Sequence, residues 1–172
     1  MELGRYIFQL PSDEELQVLE QKINYSFSNR TLLREALQPA TWVNEDGNKK
    51  LAMVGNSIMR LVIVNHGLKG KKTRGMCFSH TGYYFTNLRF RLWLGQISDM
   101  FTLKASKSSL CAQGFYLGIS KFVVKRPTQL VVGPTIMATT MEAIVGAVYL
   151  DCNEQIQPCA VVMNALDIAW SE

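Results

Sequence analysis

The residues with the greatest chemical capacity lie on two stretches of helical pattern, 49–63 and 139–151. In the first, Lys49, Ala52 and Asn56 fall at i, i+3 and i+7, on one flank of a helix. Met53, Val54, Ile58, Leu61 and Val62 recur at helical spacing and form its expected apolar face. In the second, Glu142 stands among apolar neighbours one turn after Thr139. A lone carboxylate near a lysine and an amide is equipped for general acid–base work. Elsewhere, Lys69, Lys71, Lys72 and Arg74 alternate with Gly67, Gly70, Gly75 and Gly82. A basic glycine-rich loop can hold phosphates, but no Walker-type spacing accompanies it, and a solvated loop is the plainer reading. Lys121, Lys125 and Arg126 form a second basic patch. His66 and His80 are isolated, as structural histidines usually are. Met53, Met59, Trp42 and Tyr149 can line a cavity, but at helical spacing such residues belong first to the core.

The elements that must position these groups are helices. Ser12 with Glu15 three residues on forms a capping box, ahead of Leu16, Leu19 and Ile23 on one face. Residues 24–28 read as a turn, and Ser28 or Asn29 caps a helix from Arg30 to Leu37 that Pro39 ends. After a polar loop at 43–48, the helix from Lys49 runs to about Asn65. Residues 83–95 carry Phe85, Leu88, Leu92 and Trp93 at helical spacing, and 96–107 give no clear signal. A short helix from Ser108 or Ser109 to Tyr116 ends at Gly118, and 122–130 is irregular. Gly133-Pro134 reads as a breaker before a helix at 138–151. Pro158 suits the first turn of a last helix over 157–170.

A chain of 172 residues with 48% hydrophobic side chains can bury one sizeable core. Its net charge of +4 permits a nucleic-acid or acidic partner without demanding one. Cys77, Cys111, Cys152 and Cys159 lack metal-site spacing and read as reduced thiols. No run reaches the roughly 18 apolar residues of a membrane span. Met1 to Ile7 has no basic region before an apolar core, and Asp13, Glu14 and Glu15 follow soon after. The expected location is therefore cytoplasmic or nuclear, with a mitochondrial one less favoured for want of a clear transit peptide.

Four segments, in order, resemble the ribonuclease III family. Residues 19–37, with Tyr25-Ser26-Phe27 before Arg30 to Leu37, are similar to its first helix pair and Gly-Tyr-x-Phe turn. Leu51-Ala52-Met53-Val54-Gly55-Asn56-Ser57 resembles the signature Leu-Glu-Phe-Leu-Gly-Asp-Ser. Ser109 to Phe122, with Leu117-Gly118, resembles a third segment. Met141 to Asp151 is similar to Phe-Glu-Ala-Leu-Ile-Gly-Ala-hydrophobic-Tyr-Leu-Asp almost position for position. The resemblance implies an all-α, dimeric endonuclease-domain fold over residues 16–172, preceded by an arm at 1–15, with no domain for double-stranded RNA binding. It also implies that Gly55 and Gly146 lie on a symmetric dimer surface.

Active members cut double-stranded RNA with Mg²⁺ held by carboxylates on the signature and late helices. Position by position, those carboxylates fall here on Lys49, Ala52, Asn56 and Thr139, and only Glu142 keeps one. The segment Gln38-Pro39-Ala40-Thr41 likewise departs from the family's Thr-His-x-Ser. Mg²⁺ demands hard, charged oxygen ligands. One carboxylate with a lysine nearby cannot hold two metals, so no metal and no cofactor are expected. The resemblance then favours a nuclease-inactive homodimer with a scaffold or RNA-associated role, similar to inactive RNase III-like subunits of mitochondrial ribosomes. In that role Lys69, Lys71, Lys72, Arg74, Lys125 and Arg126 would contact nucleic acid. One alternative is a fold repurposed as a metal-independent enzyme, with Glu142, Asn56 and Lys49, together with Lys50 and Thr139, around a small molecule in the inter-subunit valley. Another is a partner subunit that supports an active nuclease.

Overall fold

The computed structural model describes residues 10–40, 45–70, 95, 98–125 and 131–169, with the side chains of 68–70 left aside. Among them there is no strand. The helices are α1 (Asp13–Ile23), α2 (Arg30–Ala36), α3 (Lys49–Gly70), α4 (98–105), α5 (Lys107–Tyr116), α6 (Pro134–Asp151) and α7 (Ile156–Ala165), with a 3₁₀ turn at Ile119–Lys121.

The first two helices form where local signals put them. Ser12 accepts from the Glu15 backbone N–H and Glu15 Oε2 accepts from Ser12 N–H at 2.9 Å, a complete capping box. Residues 13–15, placed in the arm from sequence, are thus the first turn of α1. Leu16, Leu19 and Ile23 are fully buried along one stripe. Asn24 ends α1 in the left-handed conformation, φ 54°, which asparagine tolerates better than most residues. Asn29, rather than Ser28, caps α2 by accepting from Thr31 N–H at 3.0 Å.

The core is built around α6, which is apolar on all sides and buried from Met137 to Val148, with Thr139 alone half-exposed in that stretch. It packs chiefly against α3 and α5, and also against α2 and α7. The α3–α6 contact depends on two glycines. A Cβ on Gly55 would overlap the Glu142 carbonyl oxygen, and a Cβ on Gly146 would overlap that of Leu51. The two backbones therefore touch at this crossing, within one chain. The glycines that the family resemblance assigned to a dimer surface are used here to join α3 to α6. The buried side of α3 is Leu51, Ala52, Gly55, Ile58, Met59, Val62 and Ile63. Met53 is 74% exposed and Leu61 is 41% exposed, so the expected apolar face is rotated from the observed one.

Several boundaries differ from expectation. α3 continues past Asn65 to Gly70, because Gly67 does not interrupt it, and Lys69 lies on its last turn rather than in a loop. α6 starts at Pro134, with Gly133 as N-cap: a proline at the first helical position loses no intrahelical hydrogen bond. α5 begins at Lys107, because Ser106 accepts from Ser109 N–H. α7 ends at Ala165, before Asp167 turns left-handed at φ 52°. The expected helix at 83–95 lies outside the described residues except for Gly95, which is helical.

Two carboxylates hold the turn between α1 and α2. Asp151, at the end of α6, accepts from Tyr25 Oη at 2.8 Å and Ser28 N–H at 2.9 Å through Oδ2, and from Asn29 N–H at 2.7 Å through Oδ1. Burial, then the hydrogen bond to Asp151, pushes the Tyr25 hydroxyl well above its ordinary pKa. Glu20, only 5% exposed, accepts from Phe27 N–H at 2.9 Å and from Arg30 Nη2 at 2.7 Å. Burial works to raise the pKa of Glu20, but the Arg30 guanidinium and the Phe27 N–H outweigh it and hold it below 4.5.

Gly55→Ala and Gly146→Ala should each lose about 2–3 kcal/mol of unfolding free energy in urea, because the added methyl meets backbone. Gly133→Ser, where a Cβ meets nothing within 4 Å, should change stability by less than about 1 kcal/mol. Because the folded-state pKa of Glu20 is depressed, its contribution is complete above its unfolded value of 4.5 and is lost as pH falls through the lower folded value. Unfolding free energy should therefore decline on acidification below 4.5, and Glu20→Gln should flatten that decline; an unchanged slope in the variant would count against the clasp.

Candidate functional site

Close approach of α3 and α6 brings together two of the residues singled out by sequence. Asn56 Nδ2 donates to Glu142 Oε1 at 2.9 Å, and Glu142 is 6% exposed. Asn56 Oδ1 accepts from Arg60 Nε at 3.1 Å, one helical turn further along α3. The two bonds agree on the orientation of the amide: its NH₂ meets the carboxylate and its oxygen meets the guanidinium. The Arg60 guanidinium carbon lies 4.1 Å from the centre of the Phe101 ring, on α4. The result is a chain from Phe101 through Arg60 and Asn56 to Glu142 across three helices.

The other expected members are placed differently. Ala52 is buried at 5% exposure against the crossing and offers no polar atom. Lys49 is exposed, and its Nζ donates to the Glu45 carbonyl at 3.0 Å. Lys50 pairs with Asp46 at 2.7 Å on the surface. That pairing, first through the hydrogen bond and then through charge, lowers the pKa of Asp46 and raises that of Lys50. Thr139 is half-exposed, while its neighbour Thr140 is buried and accepts from Asn48 Nδ2 at 3.3 Å. Asn48 Nδ2 also donates to the Ala36 carbonyl at 2.8 Å, joining α2 to the start of α3.

Of the expected nucleic-acid contacts, Lys125 is half-buried. Lys71, Lys72, Arg74 and Arg126 lie outside the described residues, as do His80 and Trp42, and the Lys69 side chain is not described. Met59 is core and Met53 is exposed; Tyr149 and His66 are half-buried, on α6 and α3. An open cavity of about 430 Å³ lies along α1 and the following turn, and Glu142 is not among its lining residues, which include Glu20, Tyr25 and Arg30. Arg60 and Asn48 carried no signal in the sequence, because their partners are on other elements.

The donor set does not fit Mg²⁺. Such an ion takes several oxygens, usually including carboxylates. Here one carboxylate faces an amide NH₂, the amide oxygen is engaged by a guanidinium, and the position a turn earlier is alanine. Among the described residues no group of three or more His, Cys, Asp or Glu is arranged to hold a metal. The geometry supports hydrogen bonding and charge balance within the chain.

No protein-family model matches the chain. Its sequence is 33% identical over 147 residues to a ribonuclease 3 of Caldanaerobacter subterraneus subsp. tengcongensis, covering 79% of this chain and 56% of that protein. It is 26% identical over 145 residues to a ribonuclease 3 of Fusobacterium nucleatum subsp. nucleatum, covering 78% and 54%. The chain thus spans about half the length of the curated relatives it matches. In fold it is similar to the nuclease domain of ribonuclease III from Campylobacter jejuni, with a TM-score of 0.62 at 17% identity, covering 88% of this chain and 96% of that one. A second structure of that domain gives a TM-score of 0.61. The sequence relationship shows the family and the likeness in fold agrees with it: the chain is an endonuclease domain of the ribonuclease III family.

Proposed function

We propose that this domain is nuclease-inactive and serves a scaffold or RNA-associated role as a homodimer. The observation that carries the reading is the Asn56–Glu142 hydrogen bond, in which an amide faces the carboxylate that a metal would need. Neither Ala52 nor Asn56 supplies the anionic oxygen that Mg²⁺ requires in order to activate water and stabilise a phosphorane. The outward side of α3 supports the dimer. It presents Met53 and Leu61 to solvent, large apolar groups that a second copy would cover. The net charge of +4 supports weak contact with RNA phosphates. No helix among the described residues is long and apolar enough to cross a membrane. A cytoplasmic location is part of the same proposal.

The purified chain should leave double-stranded RNA uncut in Mg²⁺ or Mn²⁺, alongside an active ribonuclease III as positive control. It should sediment as a dimer, and any RNA binding should weaken steeply with salt. Metal-dependent cleavage that disappears in Glu142→Gln would overturn the inactive reading. A monomer that dimerises only with an active nuclease would assign the chain to a partner-subunit role instead.

A further inference from the structure

Arg60 is an exposed residue whose side chain is contacted on two sides. Its Nε donates to Asn56 Oδ1 at 3.1 Å, and its guanidinium stacks on Phe101 at 4.1 Å. Phe101 is half-buried and packs against the core, so α4 fixes the far side of the guanidinium. The near side is fixed by the i to i+4 spacing on α3. Donation into Oδ1 polarises the Asn56 amide and strengthens the bond from Nδ2 to the buried Glu142 carboxylate. Glu142 thus faces an amide NH₂ that the guanidinium, by polarising the amide, makes a stronger donor.

We infer that Arg60 is the resident cation of this site, a positioning residue that balances Glu142 through Asn56 and that would capture any carboxylate restored at position 56. The inference rests on the inactive reading above, yet it can fail separately. Asn56 Oδ1 already accepts from Arg60 Nε, and a carboxylate there would keep that bond and make it charge-assisted, while its second oxygen would take the place of Nδ2 beside Glu142. Replacing the Asn56 amide with a carboxylate therefore creates an ion pair with Arg60 rather than a metal ligand. The positive charge beside that carboxylate also repels a divalent ion.

Two measurements on the full chain test this. Mn²⁺ titration followed by electron paramagnetic resonance should show no gain in affinity for Asn56→Asp over the parent. Asn56→Asp/Arg60→Ala should bind at least about tenfold more tightly than Asn56→Asp. Where that double variant does not fold, Asn56→Asp/Arg60→Gln replaces it, retaining bulk over Phe101. Independently, Asn56→Ala, Arg60→Ala and the double variant form a thermal-unfolding cycle, in which the double variant should lose less in midpoint than the two singles combined. Equal Mn²⁺ affinity with and without Arg60, or additive losses in the cycle, overturns the inference. RNA cleavage by the parent chain would defeat the inactive reading instead, and it is scored in a separate assay.

Discussion

Contact between the backbones of α3 and α6 is the constraint on which the rest of the molecule depends. Gly55 meets the Glu142 carbonyl and Gly146 meets that of Leu51, so neither helix can move outward without opening the core. Nearly every residue of α6 from Met137 to Val148 is buried, which makes it the post around which α2, α3, α5 and α7 pack. The same contact brings Asn56 within 2.9 Å of Glu142. Helix packing and site geometry are therefore one event, and the packing does not require metal chemistry. A site of this kind can lose ligands while the crossing stays intact.

Acidic residues in this chain serve two separate purposes. Glu142 belongs to the site and is balanced within the protein through Asn56 and Arg60. Asp151 and Glu20 belong to the architecture: Asp151 accepts three hydrogen bonds from the turn that joins α1 to α2, and Glu20 accepts one from that turn and two from Arg30, the first residue of α2. A buried carboxylate left without its donors is costly, so removing either architectural acid's partners would be felt as lost stability. The position of Asp151 at the end of α6 links the turn to the helix that carries Glu142.

Local features were legible in the sequence and tertiary ones were not. The Ser12–Glu15 capping box and the turn at Asn24 depend on neighbours a few residues away. Helical periodicity found α3 but placed its apolar face on Met53, Val54, Ile58, Leu61 and Val62, of which Ile58 and Val62 are buried while Met53 and Leu61 are exposed. The true contact stripe includes Ala52 and Gly55, whose small side chains give little hydrophobic signal while allowing the closest approach. Gly133-Pro134 reads in sequence as a breaker but opens α6, because the pair that stops one helix can equally start the next. Asn56 and Glu142 were matched through family resemblance, and in the fold Asn56 Nδ2 donates to Glu142 Oε1. Arg60 stayed hidden because its role depends on Phe101, which reaches it only in the folded chain.

The two attachments of α6 also shape how the molecule would come apart. The middle of the helix is locked against α3 by backbone contact, and its C-terminal end is tied by Asp151 to the turn before α2. The first lies within the buried stretch from Glu142 to Val148 and the second just beyond it. The buried amides from Glu142 to Val148 are therefore expected to exchange more slowly than those on the exposed outer turns of α4 and α5. The best-buried backbone among the described residues thus runs through Glu142, the carboxylate of the candidate site.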